Sequence, residues 1–109
     1  MNPQVLELEN ASNALRKEGK YDEAVAKLQQ ALELDPKFVR GHMGLSVLFY
    51  HLRDFERSCY HAEMAVALEP NDAFNLSALS VTYQRAFEGT RDPIYIHKAE
   101  QAMARSRGH

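Results

Sequence analysis

With 109 residues, 45% of them hydrophobic and 26% charged, the chain has the make-up of a water-soluble globular protein with room for one modest core or one short repeat array. The formal net charge is −2. These values exclude wholesale disorder, a membrane span of about 20 apolar residues, and the overall basic excess of a typical nucleic-acid binder.

Cys59 is the single cysteine, so no internal disulfide and no cysteine-rich zinc site can form, and a reducing, cytoplasmic setting is expected. Met1-Asn2-Pro3-Gln4 has neither the basic stretch nor the apolar run of a secretion signal. Glycine and proline are scarce, which favours helices over a turn-rich all-β fold.

In chain order, Val5, Leu6, Leu8, Ala11, Ala14 and Leu15 recur at helical spacing and predict a first helix over about Pro3–Lys17. Gly19-Lys20 breaks it. The second helix is predicted over about Tyr21–Leu34, with Ala24, Leu28, Ala31 and Leu32 on its inner face. Asp22 and Glu23 stand in its first turn, where carboxylates complement the helix dipole. Asp35 reads as the N-cap, and Pro36 as the opening position, of a third helix over about Lys37–Leu52. A fourth covers about Phe55–Leu68. Asn71 or Asp72 caps a fifth, over about Ala73–Phe87. Gly89-Thr90-Arg91 reads as a loop, Asp92 as a cap, and Pro93 as the opening of a sixth helix that ends near Ser106. The tail Arg107-Gly108-His109 is expected to fray.

A repeat organises these elements. Pro36 and Pro70 stand 34 residues apart, and at that offset Tyr21 meets Phe55, Ala24 meets Ser58, Ala31 meets Ala65, Leu32 meets Val66 and Leu34 meets Leu68. The small residues Ala24, Ala31 and Ala65 suit close helix crossings, where a larger side chain would push the helices apart. Tyr21 and Phe55 are expected to wedge beneath the turn.

A 34-residue helix-turn-helix unit with Gly19-Lys20-Tyr21-Asp22-Glu23-Ala24 and Ala31-Leu32-Glu33-Leu34-Asp35-Pro36 resembles the tetratricopeptide repeat family. The second unit departs from the pattern: Arg53 replaces the turn glycine, Ser58 and Ala62 replace the usual alanine and aromatic, and Glu69-Pro70 replaces Asp-Pro. Leu45-Ser46 and Leu79-Ser80 keep the family's small residue in the first helices of units two and three. Unit three fits only with an insertion. If Ile96, Ala99 and Met103 take the places of Phe55, Ser58 and Ala62, the offset grows to 41, so a longer fifth helix, a longer loop around Glu88–Asp92, or both are expected. The resemblance implies an all-α, right-handed superhelical array of three antiparallel helix pairs, one domain over residues 1–106 with units at about 3–36, 37–70 and 71–106. It implies a non-catalytic adaptor that binds a peptide or helix of a partner protein along a concave groove.

The family lines that groove with the first helix of each pair. By register this gives Leu6, Glu9, Asn13, Arg16 and Lys17, then Arg40, Met43, Val47, Tyr50 and His51, then Phe74, Ser77, Ala78, Val81, Gln84 and Arg85. The middle, centred on Tyr50, is apolar and aromatic, while Arg16, Lys17, Arg40 and Arg85 form a basic rim. An apolar peptide with some acidic residues suits such a surface. Relatives that clamp the acidic tails of heat-shock chaperones use Lys, Asn, Asn, Lys and Arg. The matching positions here are Glu9, Asn13, Gly44, Phe74 and Ala78, of which only Asn13 agrees, so that ligand is not expected.

Other chemistry is weakly represented. His42, His51, His61, His97 and His109 show no helical His-x3-His pairing, and Cys59 and His61 diverge around a helix axis, so no metal and no Cys-His dyad is expected. No phosphate-binding glycine loop or nucleophile elbow occurs. No cofactor, no nucleic acid and no membrane partner is expected. Arg85, Arg91, Lys98, Arg105 and Arg107 make the last third basic against an acidic first third, which suits an acidic partner or the N-terminal end of another copy. The sixth helix is expected to serve as its own cap, yet it is rich in apolar residues, and Ile94, Tyr95 and Met103 are candidates for self-association into a homo-oligomer.

Overall fold

The computed structural model describes residues 2–108; Met1 and His109, the end of the expected frayed tail, lie outside the described residues. Six helices follow one another: α1 (Pro3–Lys17), α2 (Tyr21–Leu34), α3 (Val39–His51), α4 (Phe55–Leu68), α5 (Ala73–Thr90) and α6 (Ile94–Ser106). No strand occurs among the described residues. The helices form three antiparallel pairs, stacked so that α2 packs on α3 and α4 packs on α5.

Each pair is stitched by the same small polar residue. The Ser12 hydroxyl donates to the Ala24 carbonyl at 2.9 Å, and the Ser80 hydroxyl to the Ala99 carbonyl at 3.0 Å. Pair two uses the same two stations with the bond reversed: the Ser58 hydroxyl donates to the Ser46 carbonyl at 2.7 Å. All four serines are buried. A buried hydroxyl needs a partner, and a carbonyl on the facing helix supplies one only where the two backbones come close. Ala24, Ala31 and Ala65, each fully buried, permit that approach.

The core is segmented in step with the stack. Val5, Ala31 and Phe38 fill the first layer. Ala24, Leu28, Leu45, Leu48 and Phe49 fill the second. Cys59, Ala62, Val66, Leu76, Leu79 and Tyr83 fill the third, with Ala99 and Ala102 of α6. Leu45 and Leu48 are fully buried, each contributing about 2 kcal/mol from apolar surface removed from water.

Three turns differ from the sequence reading. Asp35 and Pro36 do not open α3. Asp35 closes α2, its carboxylate accepts the Lys37 amide hydrogen at 3.1 Å, and α3 starts only at Val39 because the buried Phe38 anchors the turn. Pro93 likewise precedes α6 rather than opening it, while the Asp92 carboxylate accepts from the Ile94 amide at 3.1 Å.

The third correction is the largest. Gly89-Thr90 is helix, not loop, and the insertion lengthens α5. A Cβ on Gly89 would stand 2.2 Å from two ring carbons of Phe55. Glycine here makes room for a ring from the preceding pair; it does not break the helix. The helix ends at Thr90, and the next residue, Arg91, turns to φ 64. Gly19 (φ 78) and Arg53 (φ 60) hold the left-handed position at the corresponding turns of pairs one and two, Arg53 against the steric cost that glycine avoids.

Unit three also shifts its aromatic. Tyr95, not Ile96, turns inward, its ring stacked on Tyr83 at 6.3 Å, and Ile96 remains 39% exposed. The register of Ala99 with Ala24 and Ser58 agrees with the serine stitch.

Candidate functional site

The first helices of the three pairs meet around a cleft of about 310 Å³. Asn13 and Arg16 of α1, Met43 and Val47 of α3, and Phe74 at the start of α5 line it, with Leu28 beneath. Gly44 keeps the floor low, since a Cβ there would lie 2.7 Å from Leu28 Cδ1. Phe74 is 74% exposed and forms an apolar lip. Asp72, whose carboxylate accepts the Asn75 amide at 3.0 Å, caps α5 and so fixes where Phe74 leaves the turn.

The remaining groove candidates fall elsewhere. Arg40 is not a free rim cation: its guanidinium makes two 2.9 Å bonds to the Glu9 carboxylate, tying α3 to α1. That hydrogen bond, then the Glu9 charge, raises the Arg40 pKa. Tyr50 does not centre the cleft. It is half-buried one turn beyond Val47, with the Arg85 guanidinium 4.6 Å above its ring and Phe55 edge-on at 6.3 Å. Gln84 faces a second cavity between α5 and α6. Lys17 and Val81 are exposed and line neither cavity. Of the self-association candidates, Ile94 is 47% exposed and Met103 lines the α5–α6 cavity, whereas Tyr95 is held against Tyr83.

Sequence reasoning missed two polar arrangements. His42 of α3 and His61 of α4 approach with Nδ1 atoms 3.0 Å apart. His42 Nε2 lies 3.3 Å from the Pro36 carbonyl, which can only accept, so His42 carries its proton there and its Nδ1 accepts from His61. Phe49 stacks on His61 at 5.7 Å. Burial, then the His42 and Arg57 charges, push the His61 pKa down to about 4. Nothing in the spacing of residues 42 and 61 signals this pair; helix packing alone creates it. The second arrangement is a hydrogen bond from the Tyr83 hydroxyl to the Glu63 carboxylate, with Lys98 Nζ 4.0 Å from the same carboxylate. Burial, then this bond, drives the Tyr83 pKa upward. Burial also pushes the Cys59 thiol up to about 12, which keeps it a neutral core residue rather than a nucleophile. Among the described residues, no three His, Cys, Asp or Glu side chains converge as a metal site, and no helix is long and apolar enough to cross a membrane.

Comparison with known proteins agrees with this geometry. Residues 13–52 match the family described as TPR repeat. The chain has the tetratricopeptide-repeat fold, in three pairs. Among solved structures, the N-terminal domain of stress-induced protein-1 (STI-1) from C. elegans aligns with TM-score 0.68 and 18% identity over 94% of this chain and 98% of that one. The first TPR of Spaghetti (RPAP3), bound to the HSP90 peptide SRMEEVD, aligns with TM-score 0.65 and 19% identity, over 96% and 91%. The first TPR domain of human RPAP3 gives 0.65 and 21%, over 96% of each chain. None of the curated proteins matches the chain. TPR domains generally mediate protein–protein interaction.

Proposed function

We propose that the chain is a non-catalytic cytoplasmic adaptor that takes a peptide or helix of a partner protein into the cleft between α1, α3 and α5. The cleft itself carries this reading: an apolar hollow of about 310 Å³, an exposed aromatic lip at Phe74, and Arg16 with Asn13 on one wall. An apolar anchor residue fills the hollow, and an acidic neighbour pairs with Arg16. The bound peptide of the Spaghetti structure is acidic too, but the chaperone-tail clamp is not part of this proposal. Glu9 stands where that clamp presents a lysine, and Arg40 holds its carboxylate in place.

The test is a peptide display screen of the native protein beside a Phe74→Ala/Arg16→Ala variant. Phe74 and Arg16 are exposed, so the variant keeps its fold. A defined apolar-acidic motif enriched by the native protein and lost by the variant is the expected result. No enrichment, or enrichment that the variant shares, removes the cleft from consideration.

A further inference from the structure

A groove of about 670 Å³ lies at the C-terminal end of the stack, between α5 and α6. Its floor includes Ile96, Ala99 and Met103, and its rim carries Glu100 and Arg107. By the repeat offsets, Ser80, Ala99 and Met103 occupy the stations of Ser46, Ser58 and Ala62 in pair two. Those three residues are buried under the stack, with α5 packed on α4. In pair three Ser80 and Ala99 stay buried in the same way, whereas Ile96 beside them is 39% exposed. Ile96, Glu100 and Met103 of α6 and Arg107, which caps it, follow one another at helical spacing and form a single stripe, with the small Ala104 beside Met103.

We propose that a second copy of the chain covers this groove, the two α6 helices crossing antiparallel about a two-fold axis beside Met103. A two-fold contact requires a patch that complements itself. The stripe does so in charge and in size. With the axis between Met103 and Ala104, Glu100 lies level with Arg107 of the second copy, and the reciprocal pair forms on the other side. Met103 lies level with Ala104 of the second copy, a large side chain against a small one. A head-to-tail stack fits less well. The opposite end of the molecule has its own groove, of about 500 Å³, lined by Gln4, Glu7, Gln30 and Glu33 among others. Set against α6, Glu7 and Glu33 would meet Glu88 and Glu100 with Arg107 as the offsetting cation of the groove. The α6 contact leaves α1 and α3 free, so the dimer presents two clefts, and the proposal stands or falls apart from the peptide reading.

Sedimentation equilibrium across micromolar to millimolar concentrations tests it, with far-UV circular dichroism as the check on folding. The native chain is expected to show a monomer–dimer equilibrium. Glu100→Arg alone and Arg107→Glu alone each set like charges opposite one another twice, and each should weaken dimerisation about tenfold. The double swap Glu100→Arg/Arg107→Glu restores both pairs and should return the native affinity. Dimerisation that ignores the single swaps, a double swap that fails to restore, mass that grows without limit, or a native chain monomeric at every concentration each overturns the proposal.

Discussion

The first two helix pairs and the third are built by one rule and finished differently. All three cross at a serine and a small partner: Ser12 with Ala24, Ser46 with Ser58, Ser80 with Ala99. Pairs one and two turn within the 34-residue period, at Gly19 and at Arg53. Pair three runs its first helix on to 18 residues, against 15 in α1 and 13 in α3, before Arg91 makes the equivalent turn. The extension lays Gly89 against Phe55 of the second pair. A repeat fold thus fixes the helix crossings and leaves the helix length between them free, provided that the extra turn finds something to pack on.

That difference can be broken at one residue. Gly89→Val places branched carbons where the Phe55 ring already is, and should destabilise the protein by about 3 kcal/mol in urea unfolding. Were Gly89 an ordinary exposed helix position, replacing glycine would cost little. A double-mutant cycle with Phe55→Ala should recover part of the loss, and strict additivity would refute the contact.

Acid should separate pair two from pair three. The His42–His61 stations are Leu76 and Ala102 in the third pair, so one pair carries a titratable contact and the other an apolar one. The folded-state pKa of His61 is depressed to about 4, from 6.5. The unfolded chain therefore binds the proton first: stability is complete above about pH 6.5 and falls as the pH drops towards 4, by on the order of 2 kcal/mol. His61→Gln should flatten the stability–pH profile through that window. An unchanged slope would show that the pair is not the source.

The smallest effect concerns the stitches. Ser12→Ala and Ser80→Ala each remove a buried donor and should cost about 1 kcal/mol. In pair two the cost should move to Ser58→Ala, and Ser46→Ala should be milder, because there the donor sits on α4. Equal losses at Ser46 and Ser58 would contradict the reversed direction.

Much of this architecture is legible along the chain. The bounds of α1, α2 and α4 follow from apolar periodicity, with Gly19 between the first two. The Tyr21–Phe55 and Ala31–Ala65 offsets fix the pairing. The candidate cleft is legible only in part. Met43, Val47, Phe74, Asn13 and Arg16 come together around it, as their register implies. Tyr50 and Arg40 share that register, yet each is engaged by a side chain from a distant helix, Arg85 in one case and Glu9 in the other.

What the sequence determined by itself is local and periodic: which segments coil, which face of each coil is apolar, and the period at which the pattern returns. Those properties depend on neighbours within a few residues or on simple repetition. What only the tertiary structure decided is the partnership between side chains far apart in the chain. Gly89 is a breaker by composition and a packing residue because Phe55 arrives there. His42 and His61 are unremarkable singly and become a pair only when α3 crosses α4. In each case the deciding quantity is a distance between helices, which helix packing sets and no local spacing encodes.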